Sequence, residues 1–196
     1  IYSTFLQRAY DQLIHDVNLQ NLNVMFAIDR SGLVEADGET HHGIYDISFM
    51  RILPNIIIMT PSNENEMWKM LNTGLQHKGP TAIRYPRGNS CGSEVTITDE
   101  TIDIGKSLTI CEGTSIAILV FGDLLNNVFD ISNKLSLTLI DMRFAKPLDT
   151  TKIKELSKTH DYFITLEDNV VRGGAGTAVN EFIAVSYTHL RAHETS

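Results

Sequence analysis

The chain has 196 residues, of which 42% are hydrophobic and 20% charged, as in a typical globular protein. Its net charge of −8 argues against a nucleic-acid partner, because binding to phosphates needs a basic surface. No apolar run approaches the roughly 20 residues that cross a membrane. Cys91 and Cys111 lack metal-ligand spacing and are interpreted as structural thiols of a reducing compartment. The sequence therefore predicts a globular protein without a nucleic-acid or membrane partner.

The first 88 residues alternate between helical and strand patterns, as in an open α/β sheet. Ser3 can cap a first helix, whose apolar residues follow the 3.6-residue period. Three apolar runs are predicted strands: 23–28, 56–59 and 82–85. Asn63 and Glu66 have the spacing of a capping box for a helix that ends near His77. Because the strand 56–59 is a continuous apolar run, we expect a mainly parallel sheet with helices on both faces.

The second half repeats this alternation after a stretch rich in Gly, Ser, Thr and acidic residues. Its predicted strands are 115–121, 137–140 and 162–166, and its predicted helices are 123–135, 149–158 and one following 173–176. The glycines of 173–176 lack the full dinucleotide-binding fingerprint, so a tight strand-to-helix turn is the favoured interpretation. A second open, mainly parallel α/β sheet is therefore predicted.

A polar loop follows the first predicted strand and carries several groups capable of chemistry. These are Asp29, Arg30, Asp37, His41 and His42, interspersed with Gly32, Gly38 and Gly43. Ligands of parallel α/β sheets bind beyond the carboxyl ends of the strands. A cation, carboxylates and an imidazole in that place suit a phosphorylated substrate that needs proton transfer. A solvated loop without function is the alternative.

Five stretches of the chain together resemble one enzyme family. They are 1–12, Ala-Ile-Asp-Arg-Ser-Gly (27–32), Ala-Asp-Gly-Glu-Thr-His (36–41), Arg-Tyr-Pro-Arg-Gly (84–88) and Asp-Met-Arg-Phe-Ala-Lys-Pro-Leu-Asp (141–149). Over residues 1–184 the chain resembles the 1-deoxy-D-xylulose-5-phosphate synthases of the transketolase superfamily. The resemblance implies a transferase that uses thiamine diphosphate and Mg²⁺. It would condense pyruvate with glyceraldehyde 3-phosphate, with loss of carbon dioxide, to a precursor of isoprenoids, thiamine and pyridoxal. The implied protein is a homodimer of the bacterial cytoplasm, or of the plastid in a plant or alga.

The resemblance also implies a division into domains. Residues 1–88 correspond to a pyrimidine-binding domain without its N-terminal part, 89–102 to a linker, and 103–184 to a transketolase C-terminal domain. Residues 185–196 resemble a translated sequencing adapter and are expected not to belong to the protein. The Gly-Asp-Gly…Asn motif for magnesium and diphosphate, and the glutamate that activates the aminopyrimidine, are expected upstream of Ile1.

Three residues near the start are candidates for the cofactor side of the site. The resemblance implies that Phe5 stacks on the pyrimidine ring, that Arg8 lies near the pyrimidine and the substrate, and that Tyr2 lies near the reacting carbonyl. Their spacing lets all three share one helical face. A core position for Phe5 and a solvated Arg8 are the alternatives.

Arg30 and Arg87 each follow a strand end, and two converging guanidiniums can hold a phosphate by bidentate bonds. The resemblance implies that they bind the phosphate of glyceraldehyde 3-phosphate. It further implies that Asp37 and His41 form the acid/base pair, with His42 a neighbour. Arg84 is expected to be structural.

The second half offers no comparable cluster. Its Asp141, Arg143, Lys146 and Asp149 are interpreted as loop and capping residues, in a domain that chiefly supports the dimer interface. A β-subunit of a 2-oxo acid dehydrogenase is an alternative function, disfavoured by His41 and by the two arginines. A non-catalytic α/β binding module is the other alternative, disfavoured by the retained contact residues.

Overall fold

The computed structural model describes residues 1–34, 37–88 and 94–187. Within them lie eight strands: β1 Met25–Ile28, β2 Ile57–Met59, β3 Thr81–Arg84, β4 Leu108–Cys111, β5 Ser115–Phe121, β6 Thr138–Asp141, β7 Phe144–Lys146 and β8 His160–Glu167. They form two four-stranded sheets, ordered β1-β3-β2-β7 and β4-β6-β5-β8. In the first sheet β1 and β2 flank β3 in parallel, and in the second β6 and β8 flank β5 in parallel. The predicted pair of open, mainly parallel α/β sheets is confirmed.

The first helical segment differs from the single regular helix that its periodicity predicts. It consists of α1 (Ser3–Leu6), a 3-10 turn (Gln7–Ala9), α2 (Tyr10–Gln12) and a π-helical turn (Leu13–Asn18). Ser3 is not the cap, because its backbone N–H donates to the carbonyl of Asp29 at 2.9 Å and its side chain is buried. The extended residue before α1 is Tyr2. Pairing with the end of β1 therefore decides where this segment begins.

Five further helices connect the strands: α3 Asp46–Arg51, α4 Glu64–Gln76, α5 Leu125–Lys134, α6 Thr150–Leu156 and α7 Ala175–Tyr187. Asn63 caps α4, since its side chain accepts a hydrogen bond from the Glu66 N–H at 3.0 Å, as predicted. The Glu66 side chain does not complete the capping box and instead binds Arg143. Asp149 caps α6, also as predicted. Among the helices of the described ranges, none has both the length and the apolar character needed to cross a membrane.

Both halves of the chain contribute residues to one apolar cluster and strands to the first of the two sheets. Strand β7 comes from the second half but pairs antiparallel with β2 of the first. Lys146, expected in a loop, is its last residue, and its ammonium donates to the carbonyls of Arg51 and Leu53. One apolar cluster joins Ile28 and Ile58 of the first half to Leu119 and Ile140 of the second. The halves are therefore packed as one body, and the proposed domain bounds remain a prediction.

Two expectations fall at the edges of the described structure. Helix α7 continues to Tyr187, past the expected break at residue 184. Of the segment 185–196 that is expected to be foreign, residues 185–187 belong to α7, and 188–196 lie outside the described residues. The first part of the expected linker, 89–93, lies outside them as well, together with Cys91.

Candidate active site

The polar loop after β1 is closed at its base by two glycines. We call residues 29–43 the β1 loop, of which 29–34 and 37–43 are described. Gly32 and Gly43 exchange backbone hydrogen bonds of 2.8 Å. A Cβ on Gly43 would lie 2.1 Å from the carbonyl oxygen of Arg30, and Gly32 has a φ of +86°. Only glycine fits both positions without strain, so the glycines fix the path by which the loop leaves the sheet and returns.

Three aromatic side chains form a platform beside this loop. The rings of Tyr2 and Phe5 stack with centroids 5.2 Å apart, and the His41 ring meets both edge-on, at 6.2 and 5.7 Å. Phe5 is 47% exposed. The core alternative for Phe5 is therefore wrong, and its ring is available to a ligand.

A cleft of about 340 Å³ adjoins this platform. Its lining residues are Thr4, Phe5, Gln7, Arg8, Glu39, Thr40, His41, His42 and Tyr45. Arg8 is exposed and lines the same cleft as Phe5 and His41. The cleft thus offers an aromatic wall, a guanidinium and an imidazole to one small molecule.

Arg30 and Arg87 converge on a single oxygen atom of Asp37. The Arg30 Nε donates to Asp37 Oδ2 at 2.6 Å, and the Arg87 Nε lies 3.3 Å from the same oxygen. The hydrogen bond from Arg30, helped by the charges of Arg87 and His41, holds the pKa of the Asp37 carboxyl below its usual range. The Arg30 guanidinium also lies 3.9 Å from the centroid of the Tyr2 ring. Arg30 therefore joins the ion cluster to the aromatic platform.

The two histidines of the β1 loop have different surroundings. His41 ends a 3-10 turn (Glu39–His41), and its Nδ1 lies 3.0 Å from the Thr40 hydroxyl. His42 Nδ1 accepts a hydrogen bond of 2.9 Å from the Val34 N–H. His42 therefore holds the loop backbone, whereas the His41 ring packs against Tyr2 and Phe5; both histidines line the cleft.

A buried ion pair between Arg84 and Asp46 lies under the β1 loop, and the sequence identified only its arginine. Arg84, expected to be structural, is 5% exposed, and its Nε lies 3.1 Å from Oδ2 of Asp46. The Ser31 hydroxyl donates to the same carboxylate at 3.0 Å. The Arg84 Nη2 also donates to the carbonyl of Asp168, 84 residues away. Asp46 and Asp168 carry no local sequence signal for this role, because both contacts join distant parts of the chain.

A larger cavity of about 490 Å³ lies between the two halves. Its walls include Asn63 and Tyr85 of the first half and Asp123 and Asn126 of the second. Burial raises the pKa of the Asp123 carboxyl. The smaller cleft is the candidate site, because Phe5 and His41 of the aromatic platform line it together with Arg8.

No Gly-Asp-Gly motif occurs in the 196 residues. Among the described residues, no three His, Cys, Asp or Glu side chains are grouped as a metal site would require. The motif that the resemblance implies for magnesium and diphosphate is therefore not among these residues.

Comparison with known proteins shows which proteins this chain is similar to. A family model described as the transketolase pyrimidine binding domain matches residues 1–92, and the model of the transketolase C-terminal domain matches 105–194. Proteins named 1-deoxy-D-xylulose-5-phosphate synthase are 60% identical in Haemophilus influenzae, 58% in Pectobacterium atrosepticum and 56% in Vibrio cholerae, each over 93% of this chain. The chain spans only about 30% of the length of these relatives.

Solved structures support the same placement. One solved structure is a split-gene transketolase, described as an inactive beta4 tetramer. It is 26% identical to this chain with a TM-score of 0.84, and the match covers 95% of this chain and 61% of the other. A transketolase from Campylobacter jejuni shares the fold at 14% identity, with a TM-score of 0.63 over 94% of this chain and 35% of its own. The chain therefore belongs to the transketolase family, and within it to the 1-deoxy-D-xylulose-5-phosphate synthases.

Proposed function

We propose that this chain supplies the acceptor-binding part of an enzyme that condenses pyruvate with glyceraldehyde 3-phosphate, with decarboxylation, to 1-deoxy-D-xylulose 5-phosphate. The proposal depends on the convergence of Arg30 and Arg87 beside the Tyr2–Phe5–His41 platform, in which Phe5 is exposed. Two guanidiniums at one point favour a phosphate ligand. An exposed aromatic ring next to them favours a planar cofactor. The names of the relatives support the reaction.

Thiamine diphosphate is the cofactor that this combination fits. Phe5 would stack on the aminopyrimidine, with Arg8 in the same cleft. When bound, thiamine diphosphate supplies a carbanion-stabilising centre for the two-carbon unit of pyruvate. Its magnesium-bridged diphosphate would be held by residues outside this sequence.

The chain's own residues then bind and orient the acceptor. Arg30 and Arg87 hold its phosphate, and Asp37 keeps their guanidiniums at a common point. The Arg87 side chain is 43% exposed and so accessible to a ligand. His41 exchanges a proton with the acceptor's carbonyl oxygen or hydroxyl, and Asp37 accepts a hydrogen bond from the acceptor. Tyr2, under Arg30, lies near the reacting carbonyl.

The complete enzyme would act as a homodimer in the bacterial cytoplasm. Its bacterial relatives and the family resemblance support that assignment. A β-subunit of a 2-oxo acid dehydrogenase needs no clamp for a sugar phosphate, so the arginine pair disfavours that alternative. An exposed platform beside two convergent arginines likewise disfavours a non-catalytic module.

Arginine variants in a full-length synthase that carries this sequence test the proposal. Arg30→Ala or Arg87→Ala should lower kcat/KM for glyceraldehyde 3-phosphate by about 30- to 1,000-fold, because a charge-assisted phosphate contact is lost. Unphosphorylated glyceraldehyde should be affected far less. The measurement is the rate of product formation with each acceptor.

A matched control is Lys158→Ala, which removes a cation just beyond α6 in the second half. This variant should behave like the wild type with both acceptors. Equal losses for the two acceptors in the arginine variants would contradict phosphate binding. A wild-type enzyme that forms no 1-deoxy-D-xylulose 5-phosphate would contradict the proposed reaction itself.

A further inference from the structure

A segment of the second half lies against the β1 loop. It comprises residues 168–174, directly after β8, and we call it the β8 strap. The Leu33 N–H donates to Asp168 Oδ2 at 3.0 Å, across 135 positions of sequence. The Val170 N–H donates to the carbonyl of Ile44 at 2.9 Å, one residue beyond the loop. The strap therefore binds the first part of the β1 loop at Leu33 and the residue directly after the loop, Ile44.

Asp168 occupies the space beside Gly32. A Cβ on Gly32 would lie 1.9 Å from Asp168 Oδ2, so the absence of a side chain admits the carboxylate. Gly32 is left-handed, and so is Arg30 two residues earlier, at a φ of +57°. The carboxylate thus holds the backbone at the turn that aims Arg30. A residue other than glycine, such as Arg30, seldom keeps a left-handed backbone unless a neighbouring group stabilises it.

The backbone of Asp168 is attached to the buried ion pair under the same loop. Its carbonyl accepts a hydrogen bond of 2.9 Å from Arg84, which pairs with Asp46. Asp46 in turn accepts from the hydroxyl of Ser31. Asp168 is therefore connected to both neighbours of Gly32, directly at Leu33 and through two buried side chains at Ser31.

The rest of the strap is anchored on α3. The Ser48 hydroxyl donates to the carbonyl of Arg172 at 3.0 Å, and the Arg51 Nε donates to that of Gly173 at 2.9 Å. Arg51 also makes two hydrogen bonds to Glu181 of α7, at 2.7 and 3.0 Å. Because these contacts fix the strap independently of the loop, Asp168 is held in place before any ligand binds.

We propose that Asp168 is a positioning residue for acceptor recognition, which fixes the β1 loop through the Leu33 N–H and so aims Arg30 at the acceptor's phosphate. The inference rests on the proposed function of Arg30. It gives the second half of the chain a part in acceptor binding, although the described residues that line the cleft all belong to the first half. Asp168 acts on the acceptor and not on the cofactor, because its contacts reach the base of the β1 loop and not Phe5 or Arg8.

Three variants of a full-length synthase with this sequence test the proposal. Asp168→Ala should raise the KM for glyceraldehyde 3-phosphate about tenfold, from loss of a charged hydrogen-bond acceptor. The KM for pyruvate and the affinity for thiamine diphosphate should stay at wild-type values. Asp168→Asn should recover most of the loss, because its amide oxygen still accepts from Leu33. Asp161→Ala, which removes an exposed carboxylate near the start of β8, should match the wild type.

Amide hydrogen exchange supplies a second readout that does not depend on turnover. Exchange at Leu33 should be about tenfold faster in Asp168→Ala and unchanged in Asp161→Ala. Unchanged exchange, or an unchanged KM for glyceraldehyde 3-phosphate, would overturn the proposal. Parallel losses of pyruvate use, cofactor affinity and Tm, without rescue by asparagine, would also overturn it. If the wild type formed no product, the proposed function would fail, and exchange alone would decide the role of Asp168.

Discussion

The carboxylate of Asp37 determines how the two arginines of the site are arranged. It accepts from Arg30 at 2.6 Å and lies 3.3 Å from Arg87, and its pKa is lowered, chiefly by the bond from Arg30. Asp37 is therefore ionised throughout the neutral range and acts as an acceptor of hydrogen bonds. Of the predicted acid/base pair, His41 is left as the candidate for proton exchange with the acceptor.

Replacement of His41 tests this assignment at the scale of one residue. In the full-length enzyme, His41→Ala should lower turnover by roughly 10²–10⁴-fold, because a proton-transfer group is removed. The affinity for thiamine diphosphate should change little, since the ring meets Phe5 only by its edge. Steady-state rates and a cofactor titration are the measurements.

His15→Ala is a matched control, because His15 is exposed and pairs only locally with Asp11. It should have wild-type turnover. A normal turnover number in His41→Ala would leave His41 as a structural residue of the platform.

At the scale of elements, a buried polar cluster joins the end of β6 and the connection between β6 and β7 to the start of α4. The Ser62 hydroxyl donates to Asp141 Oδ2 at 2.6 Å. Arg143, expected in a loop, makes hydrogen bonds of 2.7 and 2.8 Å to both carboxylate oxygens of Glu66. Burial raises the pKa of Asp141 to about 6, and Glu66 adds to the increase, while Ser62 and Arg143 oppose it.

This raised pKa predicts a specific dependence of stability on pH. Because the folded state binds the Asp141 proton more tightly than the unfolded state, stability should fall as pH rises from about 4 to about 6. Asp141→Asn removes this contribution. The difference in unfolding free energy, wild type minus variant, should decrease by about 2–3 kcal/mol between pH 4 and 7. Chemical denaturation of the full-length protein across that range measures the difference.

The exposed Asp161 again provides the control, now as Asp161→Asn. Its unfolding free energy should follow that of the wild type at every pH. Parallel pH profiles for wild type and Asp141→Asn would show that Asp141 titrates normally in the folded protein.

At the scale of the whole molecule, the two halves depend on each other. Strand β7 extends the first sheet, the β8 strap holds the β1 loop, and one apolar cluster includes residues of both halves. A change in the second half can therefore reach the candidate site through backbone contacts.

We expect the 196-residue chain alone to lack synthase activity and measurable affinity for thiamine diphosphate. Stacking on Phe5 contributes about 0.5–1.5 kcal/mol, whereas even a millimolar complex requires about 4 kcal/mol. The remainder would have to come from the magnesium-bridged diphosphate, whose expected binding motif is absent from this sequence. Calorimetric titration with thiamine diphosphate and Mg²⁺ is the measurement.

A full-length synthase of the family, titrated under the same conditions, is the positive control for that experiment. It should bind the cofactor where the 196-residue chain does not. Micromolar affinity of the chain alone would show that its own residues suffice, and would refute the argument.

The sequence by itself determined the features that depend on neighbouring residues. Mainly apolar runs placed β2, β3 and β5, and β2 is apolar throughout, as in a strand that is buried on both faces. Asn63 and Asp149 identified helix starts, since a cap bonds within its own first turn. The short motifs of the β1 loop and of Arg-Tyr-Pro-Arg-Gly gave the family and the candidate residues.

The tertiary structure alone decided which distant residues meet. It placed the start of the first helical segment after Tyr2, because the Ser3 N–H donates to the carbonyl of Asp29 directly after β1. It placed 144–146 in the sheet of the other half, and it joined Arg143 to Glu66 and Asp168 to Leu33. Local propensity and periodicity reach only a few residues along the chain. Contacts across 77 to 135 positions depend instead on how the two sheets pack, which no single segment encodes.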